Sequence, residues 1–162
     1  MTVAVFPGTF DPVTNGHLDL IQRSARIFAK LIVAIFDNPT KKQLFTVAER
    51  RELLEQSTRG LANVEIDSFS HTLLIFYARQ RQVNVIVRGV RAIADFEYET
   101  QMTSMNRHLD DTIETVYLTP RSEYGYVASS LIKEVATYGG NVEHLVPPPV
   151  LLALKEKLRQ MS

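Results

Sequence analysis

Apolar and polar positions alternate along the chain in two different periods. Short runs rich in β-branched residues occur at Val3 to Phe6, Leu31 to Phe36, Val64 to Phe69, Val83 to Val87 and Ile113 to Leu118, and each is predicted as a β-strand. Segments between them carry apolar residues at spacings of three and four, the period of a helix packed on one side. Strands regularly separated by helices predict a parallel sheet. The first four runs are almost continuously apolar or only weakly alternating, as expected of strands covered by helices on both faces.

The predicted helices carry end signals. Leu18, Ile21, Ala25 and Phe28 form a stripe that can pack on the sheet while Arg23, Arg26 and Lys30 face water, and Asn15 is the expected cap. Thr46 with Glu49 has the form of a capping box, with Gly60 as the expected stop about four turns later. Thr72 is the expected cap of a third helix. A fourth, Ala94 to Leu109, places Tyr98, Met102, Met105 and Leu109 on one stripe, open to core packing or to an interface. Ser129 to Tyr138 ends at Gly139-Gly140, and Val150 to Gln160 follows Pro147 to Pro149 as a terminal helix. The fold expected is a single doubly wound, Rossmann-like α/β domain over residues 1–162, with a five-stranded parallel sheet, helices on both faces and a C-terminal helix.

Composition narrows the function classes. A chain of 162 residues suits one core. Its 18 lysines and arginines balance 18 aspartates and glutamates, so no global field recommends nucleic acid as a partner, and any basic site must be local. There is no cysteine, which removes thiolate metal sites and cysteine nucleophiles and fits a reducing cytoplasm. No stretch approaches the ~20 apolar residues of a membrane span, and no signal peptide is evident. A soluble cytoplasmic protein is expected.

The candidate chemistry sits at strand ends. The turn Pro7 to His17 contains Gly8 and Gly16 and leads from the first strand into the first helix. In open α/β sheets ligands bind beyond the carboxyl ends of the strands, and a helix start offers free N–H groups to an anion. His17 and Thr9 can add an imidazole and a hydroxyl to such a phosphate site. A lone Gly-His pair would more often be an ordinary tight connection; strand, glycine turn and helix in this order favour the phosphate reading. Lys41 and Lys42 follow the second strand, and Arg88 and Arg91 the fourth, all on the same edge in a parallel sheet. Surface solvation is the ordinary fate of such charges and the expectation for Lys42, whereas Arg88 ends a buried-looking strand. Tyr124 to Ser130 forms another possible anion seat, although a plain serine cap would explain it when taken alone.

Together these residues resemble the phosphopantetheine adenylyltransferases, members of the nucleotidyltransferase superfamily with the signature T/H-x-G-H. Pro7 to Pro12 with Thr14-Asn15-Gly16-His17 matches the superfamily, and Arg88 to Ala92, Asp95 to Glu99 and Met105-Asn106-Arg107 match the particular family. The likeness runs from about Val5 to Val146. It implies adenylyl transfer from ATP to 4′-phosphopantetheine, magnesium as the ion, and a homohexamer. By the same resemblance His17, Lys41 and Arg91 serve the reacting centre. Thr9, Phe10, His17, Gly89, Val90, Arg91, Glu99 and the run Tyr124, Gly125, Tyr126, Val127, Ala128, Ser129 and Ser130 hold ATP. Thr9, Lys41, Leu73 and Arg88 hold phosphopantetheine, and no residue is implied as a metal ligand. The chain departs from the family pattern at Ala128 (often serine), at Tyr124 (often tryptophan), in the longer Gln80 to Asn84 stretch, and at Asp37, expected beside Lys41. A sister enzyme acting on a mononucleotide, or on glycerol phosphate with CTP, would share only the first motif; a nucleotide-sensing module would lack His17 or the basic residues, all of which are present.

A phosphate monoester has a second pKa of about 6 and is already largely dianionic at neutral pH, so such a transfer needs no general base. It needs two anions brought into line and charge stabilised at the transferring phosphorus.

Overall fold

A computed structural model describes residues 1–162. Five strands, β1 (Val3–Gly8), β2 (Lys30–Phe36), β3 (Val64–Phe69), β4 (Val85–Gly89) and β5 (Glu114–Leu118), form one sheet in the order β3-β2-β1-β4-β5, with every pairing parallel. Six α-helices accompany them: α1 (Asn15–Ile27), α2 (Val47–Ser57), α3 (Leu74–Gln80), α4 (Ile93–Leu109), α5 (Ser129–Thr137) and α6 (Pro148–Met161). The expected doubly wound architecture is the one observed.

The period-two geometry of the strands divides the core between the two faces. Ala4, Phe6, Leu31, Val33, Ile35 and Val87 point one way and meet Ile21 of α1, Leu54 of α2, Ile132 of α5 and Val150 and Leu154 of α6. Val5, Ile32, Ala34 and Ile86 point the other way onto Ile75, Tyr77 and Ala78 of α3. Burial on both faces is why the central strands carry almost no polar residue. The edge strand β3 has no fully buried position. Its Glu65 takes Lys30 and Arg81, each at 2.5 Å, and Asp67 takes Tyr77 and Arg81, so charge covers an edge that could otherwise recruit another strand. No helix is long and apolar enough to cross a membrane.

Several end signals differ from those expected. Thr14, not Asn15, caps α1: Thr14 has the extended backbone of a cap, while Asn15 is already helical and its side chain donates to the His144 carbonyl at 3.0 Å. The Thr46–Glu49 capping box is present, but α2 ends at Ser57, about one turn earlier than Gly60 implied, with Thr58 at the cap. Thr72 does not cap α3; Leu73 occupies that place without a side-chain bond. Most of the α4 stripe is not core packing, and only Leu109 at its end packs against the core face of α3. Tyr98, Met102 and Met105 are exposed, and Glu99 is the only buried residue of the helix.

β1 and β4 are neighbours at the point where the strand order reverses, so the connections leaving them diverge and open a crevice at their carboxyl ends.

Candidate active site

The turn after β1 is shaped by its own residues. Phe10 adopts a left-handed backbone (φ 51°), rare for a residue with a side chain, and its buried ring lies edge-on to Phe6 at 5.8 Å and to His17 at 5.0 Å between centroids. Thr14 then starts α1. Its hydroxyl accepts the His17 N–H at 3.2 Å, and His17 Nδ1 accepts the Thr14 N–H at 3.1 Å. Histidine thus occupies the place glutamate usually takes in a capping box. Because Nδ1 accepts from a backbone N–H, the ring proton belongs on Nε2. Burial, and secondarily the charge of Arg91, lower the His17 pKa from 6.5 to about 4. At neutral pH His17 is therefore an uncharged donor with a fixed tautomer.

This depressed pKa makes stability depend on pH. An unfolded chain protonates His17 below about 6.5, whereas the folded chain does so only near 4, so stability present above 6.5 is lost as pH falls between those values. The loss attributable to His17 is at most about 3 kcal/mol. Carboxylates titrate in the same range, so the contrast is with His17→Gln. Urea unfolding at pH 7, 5.5 and 4 should show a shallower decline for the variant, and parallel declines would contradict the assignment.

The crevice holds a cavity of about 610 Å³, within the size range of small-molecule sites. Lys41, Arg88 and Arg91 line it together with His17, and no aspartate or glutamate does. A concave surface with three cations and no carboxylate is built for anions. Each arginine is held from behind. Arg88 Nε and Nη2 donate to the two oxygens of Glu99 at 2.8 and 2.7 Å, a bidentate pair in which the Glu99 side chain is only 9% exposed. Arg91 Nη1 donates to the Val127 carbonyl at 3.0 Å, and its Nε lies 3.5 Å from Asp95. Gly89 lies close beneath α1: a Cβ there would come within 2.6 Å of Leu20 Cδ1, the end of a side chain that would have to turn aside.

Most residues expected at the site meet here. Thr9, His17, Lys41, Leu73, Arg88, Gly89, Arg91, Tyr124, Val127, Ala128 and Ser129 line the cavity. Others do not. Phe10 and Val90 are buried beside it, Lys42 and Ser130 are exposed outside it, and neither Gly125 nor Tyr126 reaches it. Glu99 is also absent from the lining, because both carboxylate oxygens face Arg88. The Ser129 hydroxyl donates to the Pro12 carbonyl at 2.7 Å and caps nothing, while the N-cap of α5 is Ala128, which leaves that helix's first N–H groups without a side-chain partner. Asp37 lies 3.6 Å from Arg50 and does not pair with Lys41. Sequence reasoning did not place Tyr98, Phe36, Phe69 or Leu74 on the cavity wall. The two phenylalanines end predicted strands on the ligand side of the sheet, a position that could have flagged them.

No group of histidine, cysteine, aspartate or glutamate side chains is arranged to hold a metal ion.

Similar architectures occur among solved structures. A protein of Vibrio parahaemolyticus assigned as a nicotinate-nucleotide adenylyltransferase superposes with a TM-score of 0.74 at 16% identity, over 100% of this chain and 98% of that one. A lipopolysaccharide core biosynthesis protein of Thermoplasma volcanium superposes with a TM-score of 0.60 at 20% identity, over 75% of this chain and 99% of its own length. At these identities the likeness is one of fold. The cytidylyltransferase-like family profile matches residues 5–135, which span β1 through most of α5 and so include the turn of His17 and both pocket arginines; the chain belongs to the cytidylyltransferase-like family of nucleotidyltransferases.

Proposed function

We propose that this chain transfers the adenylyl group of ATP to 4′-phosphopantetheine. A terminal phosphate oxygen of the acceptor attacks the α-phosphorus, the bond to the β-phosphate oxygen breaks, and pyrophosphate leaves with dephospho-coenzyme A as the other product. The observation that carries the reading is the carboxylate-free cavity lined by Lys41 and the Glu99-held Arg88 together with the apolar Phe69, Leu73 and Leu74. Cations beside an apolar wall suit an acceptor with a phosphate at one end and a long, weakly polar arm.

His17 Nε2–H donates to the oxygen that gains charge as the α-phosphorus is attacked. Arg91 and the open N-terminus of α5 hold the nucleotide phosphates. No residue acts as a base, and no covalent enzyme intermediate forms. Magnesium enters only with ATP. A homohexamer in the cytoplasm completes the proposal, and the exposed Phe96, Tyr98, Met102 and Met105 of α4 offer apolar surface for contact between copies. Analytical ultracentrifugation checks the assembly.

Pyrophosphate release is measured with ATP, magnesium and one acceptor at a time. Phosphopantetheine should support release at least about 100-fold faster than nicotinate mononucleotide or glycerol phosphate. A preference for nicotinate mononucleotide would replace the acceptor assigned here.

A further inference from the structure

Beneath the cavity, out of reach of any substrate, lies a buried carboxylate. Asp11 is 2% exposed and absent from the cavity lining. One carboxylate oxygen accepts the Phe45 N–H at 2.9 Å, and the other accepts both the Leu44 N–H and Lys133 Nζ at 2.9 Å. Three separate parts of the fold therefore converge on one side chain: the turn carrying Thr9 and His17, the connection from β2 to α2 carrying Lys41, and helix α5.

That connection needs an external anchor. Around Lys41 its hydrogen bonds are local: the Asn38 side chain accepts the Thr40 N–H at 3.0 Å, and the Asn38 carbonyl accepts the Lys41 N–H at 3.2 Å. From Asn38 to Phe45, its backbone bonds to the rest of the molecule are the two N–H groups given to Asp11 and the Phe45 carbonyl, which accepts from Arg50 Nε at 3.1 Å. Arg50 is 1% exposed and also donates to the Thr9 carbonyl at 2.9 Å, so it fastens the same two segments from the other side. Charge-assisted bonds in a dry setting are the strong ones, and each holds backbone three or four residues from Lys41.

We infer that Asp11, bridging the Leu44 and Phe45 N–H groups and Lys133, is a positioning residue that sets Lys41 against the His17 turn and ties the acceptor side of the cavity to α5. The inference rests on the reading of Lys41 as the acceptor's cation. Asparagine at position 11 would keep the shape, but it would turn an NH₂ group toward a donor and leave Lys133 without its counter-charge. A displacement near 1 Å is enough to cost about 10²-fold in rate.

The experiment compares Asp11→Asn in the wild-type and Lys41→Ala backgrounds and follows amide exchange of residues 37–45. Asp11→Asn should lower kcat/KM for phosphopantetheine by about 10²-fold with the KM for ATP within about threefold, and this loss should shrink below about threefold once Lys41 is absent. Exchange at Leu44 and Phe45 should rise at least about tenfold while β1 amides are unchanged. An undiminished loss in the Lys41→Ala background, or unchanged exchange, overturns the inference. If Asp11→Asn does not fold, Lys133→Gln carries the same comparison with smaller changes of the same sign, and an unaltered 37–45 segment in that variant refutes it. If wild-type protein adenylylates no acceptor, the proposed function fails by itself, and the exchange measurement still decides whether Asp11 holds the segment.

Discussion

Replacing His17 with alanine is expected to lower the turnover of adenylyl transfer by about 10²- to 10³-fold while ATP affinity changes less than about threefold. The asymmetry follows from where the imidazole proton sits. Nδ1 is occupied by the Thr14 N–H, so Nε2–H is the group left for the cavity, and it stays uncharged at neutral pH because burial and Arg91 hold the pKa near 4. A neutral donor gains little from the ground-state phosphates, which already face Lys41, Arg88 and Arg91. It gains most when charge concentrates on the transferring group. Alanine also leaves the Thr14 N–H without its acceptor, costing about 1 kcal/mol at the start of α1, which a melting curve detects separately. Steady-state kinetics with a raised KM and an unchanged kcat would contradict this role.

The second large effect concerns Arg88. Arg88→Met should weaken phosphopantetheine binding by about 10- to 100-fold, the worth of one charge-assisted contact, as read by calorimetry. It should also destabilise the fold by roughly 2–3 kcal/mol, because Glu99 is left as a buried carboxylate without its partner; the partial exposure of Arg88 keeps this below the value for a fully enclosed pair. Arg88→Met with Glu99→Gln separates the two roles, and the pair should recover stability without recovering acceptor affinity. Glu99→Gln alone should loosen Arg88 and raise the acceptor's KM while leaving ATP binding within about twofold. A loss of ATP affinity in that variant would return Glu99 to the nucleotide side, where resemblance had put it.

The contrast between Glu99 and His17 shows how much of the site could be read in advance. His17 lies within ten residues of β1, and strand, turn and helix follow in one local stretch, so its place at the sheet edge was implied by chain order. Glu99 has the same residue type and helical setting whether it faces a ligand or an arginine. Its partner, eleven residues earlier, is fixed only when α4 folds back along β5. Asp37 is a similar case: Lys41 is near in sequence, but the carboxylate lies instead 3.6 Å from Arg50, which reaches it from α2. Cap positions were misjudged by one residue for a related reason, since Thr14 and Asn15 are both good caps by composition and the extended backbone at Thr14 decides between them.

By itself, the sequence determined what depends on periodicity and local order: five strands in a sheet with helices on both faces, and a glycine turn delivering His17 and Thr9 to a helix start. The β3 segment, Val64 to Phe69, has the bounds that its run of β-branched and apolar positions predicts. Only the tertiary structure decided which charges face the cavity and which hold the others in place. Asp11, Arg50, Glu99 and Lys133 all belong to the second group, because their partners come from other segments and no spacing along the chain encodes contacts that form only when those segments close over one another.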